Sequence, residues 1–179
     1  MVKFINILTL MRVFLAFFIF IGIVYGYYSL ALFLFIFAGV SDYFDGHLAR
    51  KFNATSEIGE ILDPFADKIL IVFTIIALAI SLSSYVIGFI GSIIISREIW
   101  VSVLRDFNSR NNNTNATKVT FIAKVKTSVQ LFSLFIYLLG LSMDVMLLIV
   151  LGDVFLVLAL LTTVFSGFEY TINSFKKNT

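Results

Sequence analysis

Residues 62–82 read LDPFADKILIVFTIIALAISL: the head Leu62-Asp63-Pro64-Phe65-Ala66-Asp67-Lys68 is followed by a run to Leu82 that carries no charge. A membrane-spanning helix needs roughly 20 predominantly apolar residues, and this stretch supplies them. Its head holds two carboxylates four positions apart, a spacing that puts both on one face of a helix. The segment therefore reads as a helix entering a bilayer with acidic side chains at its mouth. Working outward, five further stretches have the same character: Ile7 to Tyr25, Ser29 to Gly46, Tyr85 to Arg105, Ile122 to Leu141 and Asp153 to Tyr170. The expectation is an all-α membrane protein of six transmembrane helices forming one domain over residues 1–179. Met143 to Gly152 is apolar but too short to span, and is expected to extend a helix or lie at the interface.

Composition agrees with this reading. Of 179 residues, 60% are hydrophobic and 13% charged, against about 45–50% and about 25% in soluble domains. So little polar surface cannot wrap such a core in water. Cysteine is absent, which removes disulfides and thiolate metal sites, and the single histidine, His47, argues against a zinc centre. The many Phe and Tyr side chains are read as packing or lipid-facing surface. Met1-Val2-Lys3 leads into an apolar run without a small-residue cleavage site, so no cleavable leader is expected.

The net charge of +2 says little, but the positions of the charges set an orientation. Gly22–Ser29, Ser81–Tyr85 and Gly140–Asp153 carry no Lys or Arg, while all 13 basic residues lie toward the other helix ends. The positive-inside rule then places both termini and the polar face in the cytoplasm. The expected membrane is the cell inner (cytoplasmic) membrane of a bacterium, with an organelle inner membrane as the alternative. That alternation requires an even number of spans. Asn108 to Thr120, with Asn111-Asn112-Asn113 inside it, is expected to be a cytoplasmic loop.

A second acidic pair, Asp42 and Asp45, closes the preceding helix at i, i+3 spacing. Two helices facing each other with these pairs bring four carboxylates to one point. One isolated aspartate is well explained as a helix cap or a partner of Arg50, Lys51 or Lys68. Four together near membrane depth repel strongly, and a hard divalent cation with oxygen ligands answers that repulsion. Gly46 and Gly59 leave room for a bulky ligand beside the backbone. Pro64 suits a first helical turn with Asp63 near its cap, which sits uneasily with Asp63 as a mid-helix ligand.

The full pattern, Asp42-x2-Asp45-Gly46-x2-Ala49-Arg50-x8-Gly59-x3-Asp63-x3-Asp67, resembles the signature of the CDP-alcohol phosphatidyltransferase family position by position. The resemblance implies that family's bundle, with its active site at the cytoplasmic face, and a homodimer. It implies two divalent ions, Mg²⁺ or Mn²⁺, held by Asp42, Asp45, Asp63 and Asp67, with Asp67 also the catalytic base. It implies CDP-diacylglycerol as the donor, its nucleotide lined by Asn6, Thr9, Gly46, Ala49, Arg50, Ser56 and Gly59. Membrane lipid is a partner and nucleic acid is not.

The acceptor is a separate question. Asn6-x2-Thr9-x2-Arg12, Leu62–Lys68, Arg97-Glu98-x3-Ser102-x2-Arg105 and Lys124-x-Lys126-Thr127-x2-Gln130 resemble the phosphatidylglycerophosphate-forming branch of that family, with Ala123 where the branch has glycine. That branch implies sn-glycerol 3-phosphate, a dianion needing cations beside the metals. Arg105, Arg110, Lys124 and Lys126 are the candidates, and the competing account of each is interfacial anchoring to anionic lipid. Arg97 suits either a carboxylate partner such as Glu98 or a ligand. The rival acceptors are inositol phosphate, serine and phosphatidylglycerol. A transporter is the rival from another class, but the acids gather at one face and Asp144 and Asp153 are too isolated to continue a ladder.

Overall fold

The computed structural model describes residues 2–51, 57–111 and 121–175; within these, the side chains of 2–6, 45–51, 57–58, 60–61, 63, 121 and 123–124 lie outside the description. Six helices account for the described residues, with no strand among them: α1 Val2–Val24, α2 Tyr28–Lys51, α3 Glu57–Ser81, α4 Tyr85–Arg110, α5 Phe121–Met143 and α6 Met146–Phe175. Five of them, all but α2, hold a window long and apolar enough to cross a membrane, so the chain is a multi-pass membrane protein. In α2 the apolar part, Tyr28–Phe44, is shorter.

Contacts at its two ends nevertheless show that α2 runs the depth of the bundle. At one end Tyr28 and Ser81 share a hydrogen bond of 2.9 Å. At the other, Arg12 of α1 joins Asp42 of α2 to Asp67 of α3. Fourteen residues separate Tyr28 from Asp42 and fourteen separate Asp67 from Ser81, or about 21 Å of helix on each side. Thus α2 runs antiparallel to α3, while α1 and α3 are parallel, with Phe20 packed edge-on against Phe73. Likewise α4 and α6 run together, joined by Arg97–Ser166, Trp100–Thr171 and Asn108–Ser174.

Three tight hairpins close one end of the bundle, and all use the same device. A residue at positive φ follows each odd-numbered helix: Gly26, Ser83 and Asp144. The next amide then reaches back five residues, Tyr27 to Gly22 O, Ser84 to Ala79 O and Val145 to Gly140 O, at 2.7, 3.0 and 2.9 Å. This Schellman closure satisfies helix-end carbonyls that have no partner within the helix. Ser84 doubles as the N-cap of α4, its hydroxyl accepting from the Ile87 amide.

The core is built from aliphatic and small side chains, among them Ala16, Ile19, Ala38, Leu70, Ile75, Leu78, Ile94, Leu134 and Leu138. Small residues matter because packing, not water expulsion, holds helices together in lipid. Large side chains such as Phe14, Phe33, Phe89 and Phe168 are exposed on the outer faces, as expected of lipid-facing surface. Gly140 marks a close approach of α5 to α6: a Cβ there would lie 2.9 Å from Leu148 Cβ and 3.0 Å from the Ile149 amide nitrogen. Backbone cannot step aside as a side chain can. Gly140→Val is therefore expected to destabilise by about 1–3 kcal/mol, read as a lower melting temperature in detergent.

The helix bounds correct the sequence reading in two places and decide between its alternatives in a third. First, α3 begins at Glu57, so Pro64 lies inside it and Asp63 is not a cap; the missing proline hydrogen bond is tolerated in the second turn. Second, Met143–Gly152 extends α6 upstream to Met146. Third, Asn108 to Arg110 belong to α4 and not to a loop, because the Asn108 amide donates to Leu104 O and to Ser174 Oγ at 2.7 and 2.8 Å. Residues 112–120 of the expected loop lie outside the described residues. Asp153, one of the isolated acids, accepts a 2.5 Å hydrogen bond from Tyr137.

Candidate active site

The bundle end opposite the hairpins holds a cavity of about 480 Å³ between α2, α3, α4 and α5. One part of its wall is acidic. Asp42 comes from the last turns of α2, and Asp67 stands a turn past Pro64 on α3. Arg12, buried in α1, points a single nitrogen at both: Nη1 lies 2.7 Å from Asp42 Oδ1 and 2.6 Å from Asp67 Oδ1. The guanidinium is 1% exposed and the two carboxylates about half exposed, at 51% and 44%. A buried arginine on an apolar helix persists only where anions meet it.

This geometry tests whether the acids suit a divalent cation. Two carboxylate oxygens on different helices converge on one nitrogen, so a single positive group already bridges both acids. Carboxylate oxygen is also the donor type that Mg²⁺ and Mn²⁺ prefer. The donor set therefore fits. Asp45 and Asp63 lie in α2 and α3, but their side chains are outside the described residues. Among the described residues alone, no group of three or more potential metal-ligating side chains gathers.

The other part of the wall is basic. It is lined by Lys68 of α3, Arg97 and Arg105 of α4 and Lys126 of α5, with Glu98 among them. Glu98 Oε1 accepts from Arg97 Nη1 at 3.1 Å and also from Lys126. Arg97 is further held by α6, its Nε donating to Thr163 O at 3.1 Å and its Nη2 to Ser166 Oγ at 2.8 Å. A Cβ on Gly167 would meet the Arg97 stem at 3.0 Å, so glycine lets that stem pass. Lys68 and Arg105 have neutral partners instead: Lys68 Nζ donates to Ser102 Oγ at 2.5 Å, and Arg105 Nη2 to Tyr170 Oη at 3.3 Å. With Glu98 already shared by two cations, the wall holds a surplus of positive charge. An anion entering the cavity would neutralise it.

The structure brings together Asp42, Asp67, Arg105 and Lys126 of the residues singled out in the sequence. Arg97 both lines the cavity and pairs with Glu98. Arg110 lies off the cavity, 78% exposed and ion-paired with Asp106 one turn back at 2.8 Å. Thr9 is buried in α1 and Gly59 in α3. The side chains of Asn6, Ala49, Arg50 and Lys124, the surroundings of Gly46, and the whole of Ser56 lie outside the described residues. Sequence reasoning passed over Arg12 and Lys68 as site residues. The signal for Arg12 was a lone charge inside an apolar run, and for Lys68 its place directly after Asp67.

Comparison with known proteins bears on this arrangement. The family model of the CDP-alcohol phosphatidyltransferases matches residues 4–165. Among curated relatives, a protein of Wigglesworthia glossinidia brevipalpis is 41% identical over 102 residues, 57% of this chain and 56% of that protein. Proteins of Blochmanniella floridana and Rickettsia bellii are 36% identical over 143 and 138 residues, covering 79% and 76% of this chain and 74% of each relative. All three are named CDP-diacylglycerol–glycerol-3-phosphate 3-phosphatidyltransferase. The first match spans little more than half of the relative's length.

Proposed function

Because the chain belongs to the CDP-alcohol phosphatidyltransferase family, we propose that it transfers the phosphatidyl group of CDP-diacylglycerol to sn-glycerol 3-phosphate. The products are phosphatidylglycerol phosphate and CMP. The observation that carries this reading is the divided cavity, with paired carboxylates on one side and the surplus cations Lys68 and Arg105 on the other.

Asp42, Asp45, Asp63 and Asp67 would hold two divalent ions, Mg²⁺ or Mn²⁺, which when bound neutralise the diphosphate and stabilise the leaving group. The residues of the chain do the rest. Lys68, Arg105 and Lys126 receive the acceptor's phosphate, arginine as a fork and lysine as a point charge. Arg105 and Lys126 keep the acceptor role read from the sequence, and Lys68 joins them in place of Arg110. The Asp67 carboxylate takes the proton of the acceptor's primary hydroxyl. The freed oxygen pair bonds to the phosphorus next to diacylglycerol, and the bond from that phosphorus to the bridging oxygen breaks, its electrons leaving with CMP. Asn6, Thr9, Gly46, Ala49, Arg50, Ser56 and Gly59 form the nucleotide's side of the site. The whole chain acts as one domain, as a homodimer in the cytoplasmic (inner) membrane, with both termini and the cavity at the cytoplasmic face. The names of the relatives support the choice of donor and acceptor, and the absence of Lys and Arg from the three hairpins supports the orientation.

An acceptor panel tests the reading. Purified protein in detergent with CDP-diacylglycerol and Mg²⁺ or Mn²⁺ is expected to release CMP when sn-glycerol 3-phosphate is added, and much less with inositol phosphate, serine or phosphatidylglycerol. Release that depends on serine instead would refute both the acceptor and the role of the surplus cations. Release that depends on inositol phosphate or phosphatidylglycerol, which both carry phosphate, would refute the acceptor alone.

A further inference from the structure

The two arginines of the cavity wall share one support. Tyr170 of α6 is 1% exposed, packs with Val101 and Leu104 of α4, and does not itself line the cavity. The Cζ of Arg97 lies 5.7 Å from its ring centroid and that of Arg105 5.5 Å. A ring face attracts a guanidinium, and this attraction offsets the repulsion between two cations held side by side.

The arginines differ in what remains for a ligand. Arg97 Nε, Nη1 and Nη2 each have a protein acceptor. Arg105 is the more exposed of the two, and its one described side-chain bond is the 3.3 Å contact to the Tyr170 hydroxyl. A guanidinium has five N–H donors, so Arg105 keeps donors for an anion, while Arg97 is fixed within the protein. An exposed arginine without a backstop would sample many rotamers, and ordering it on a ligand would weaken binding. Tyr170 supplies that backstop from behind, through ring and hydroxyl together.

We propose that Tyr170 is a positioning residue that presets Arg105 for the phosphate of the acceptor alcohol. This rests on the reading above that the cavity takes a phosphate-bearing acceptor. The consequence is confined to one substrate. Losing the presetting weakens acceptor binding equally in the ground and transition states, which raises the acceptor KM and leaves kcat alone. Damage to the fold would instead lower kcat and disturb the donor.

The test is CMP release at saturating CDP-diacylglycerol while sn-glycerol 3-phosphate is varied, followed by the converse titration of the donor. Y170F, which keeps the ring and loses the hydroxyl, is expected to raise the acceptor KM about threefold, and Y170L about tenfold. In both, kcat and the donor KM stay within about twofold of the wild type. R105K gives the same signature, and Y170F adds nothing to it, because the tyrosine acts through the arginine. Should Y170L fail to fold, Y170F carries the test. An unchanged acceptor KM in Y170F overturns the proposal, as does a joint loss of kcat and donor affinity, or KM increases in Y170F and R105K that multiply in the double variant. If the wild type uses a different phosphate-bearing alcohol, the choice of acceptor fails, and the same titration with that alcohol still judges Tyr170. An acceptor without phosphate overturns both.

Discussion

Asp67→Asn is expected to lower CMP release by about 10²-fold or more, the scale of a lost general base, while the protein stays folded and still binds the donor. The amide side chain of this variant would retain an oxygen for Arg12 to donate to, so the contact now made at 2.6 Å with Oδ1 loses charge but not geometry. What disappears is a group able to take the acceptor's proton. Asp42 is untouched by the change and still offers its carboxylate to Arg12 at 2.7 Å. The measurement pairs turnover with binding of CDP-diacylglycerol and with the melting temperature. Near-normal turnover would remove Asp67 from the base role. Lost turnover together with lost donor binding would instead make it a ligand and nothing more. Asp42→Ala, by contrast, is expected to lose both at once.

The parts of this protein that could be read from its sequence are those set by one-dimensional pattern. Apolar length located the membrane helices. The absence of Lys and Arg from three connections marked the turns that Gly26, Ser83 and Asp144 close. The acids were conspicuous because charge at membrane depth is costly. Helix starts were harder. Pro64 reads as a first-turn residue, yet α3 begins before it at Glu57, since a bundle can hold a helix through one missing hydrogen bond. The apolar stretch after Met143 was too short to count as a span, and only its packing on α5 at Gly140 makes it the first turns of α6. Charge partners were hardest of all. The Asp106–Arg110 pair has the i, i+4 spacing of one helix face and is hidden when Asn108 onward is read as a loop. Glu98 could take Arg97, Lys126 or both, and nothing in the spacing foretold that Lys68 would turn to the cavity. Such choices depend on how helices rotate against one another, which periodicity leaves open.

Arg12→Met is expected to destabilise the protein, and the loss should depend on metal. The guanidinium belongs to the largest of the fully buried side chains, and its Nη1 is the described positive group that lies between Asp42 and Asp67. Removing one partner of a fully buried ion pair typically costs about 3–5 kcal/mol. Here the carboxylates are half exposed and can turn to water, which reduces the cost to roughly 2 kcal/mol, or about 5 °C in Tm. Methionine fills the space of the stem, so the residual loss is that of the charge. A divalent ion between the two acids would replace that charge and bind the folded state alone. Added Mn²⁺ should therefore raise the Tm of Arg12→Met by more than it raises that of the wild type, where Arg12 already neutralises the pair. Arg12→Lys, with a single compact ammonium in place of the fork, should fall between the two. Thermal unfolding of the three proteins in detergent, with Mn²⁺ and with chelator, decides the matter. A variant that melts with the wild type in chelator would show that Arg12 does not hold the carboxylates together. One that Mn²⁺ fails to recover would show that no cation site lies between them.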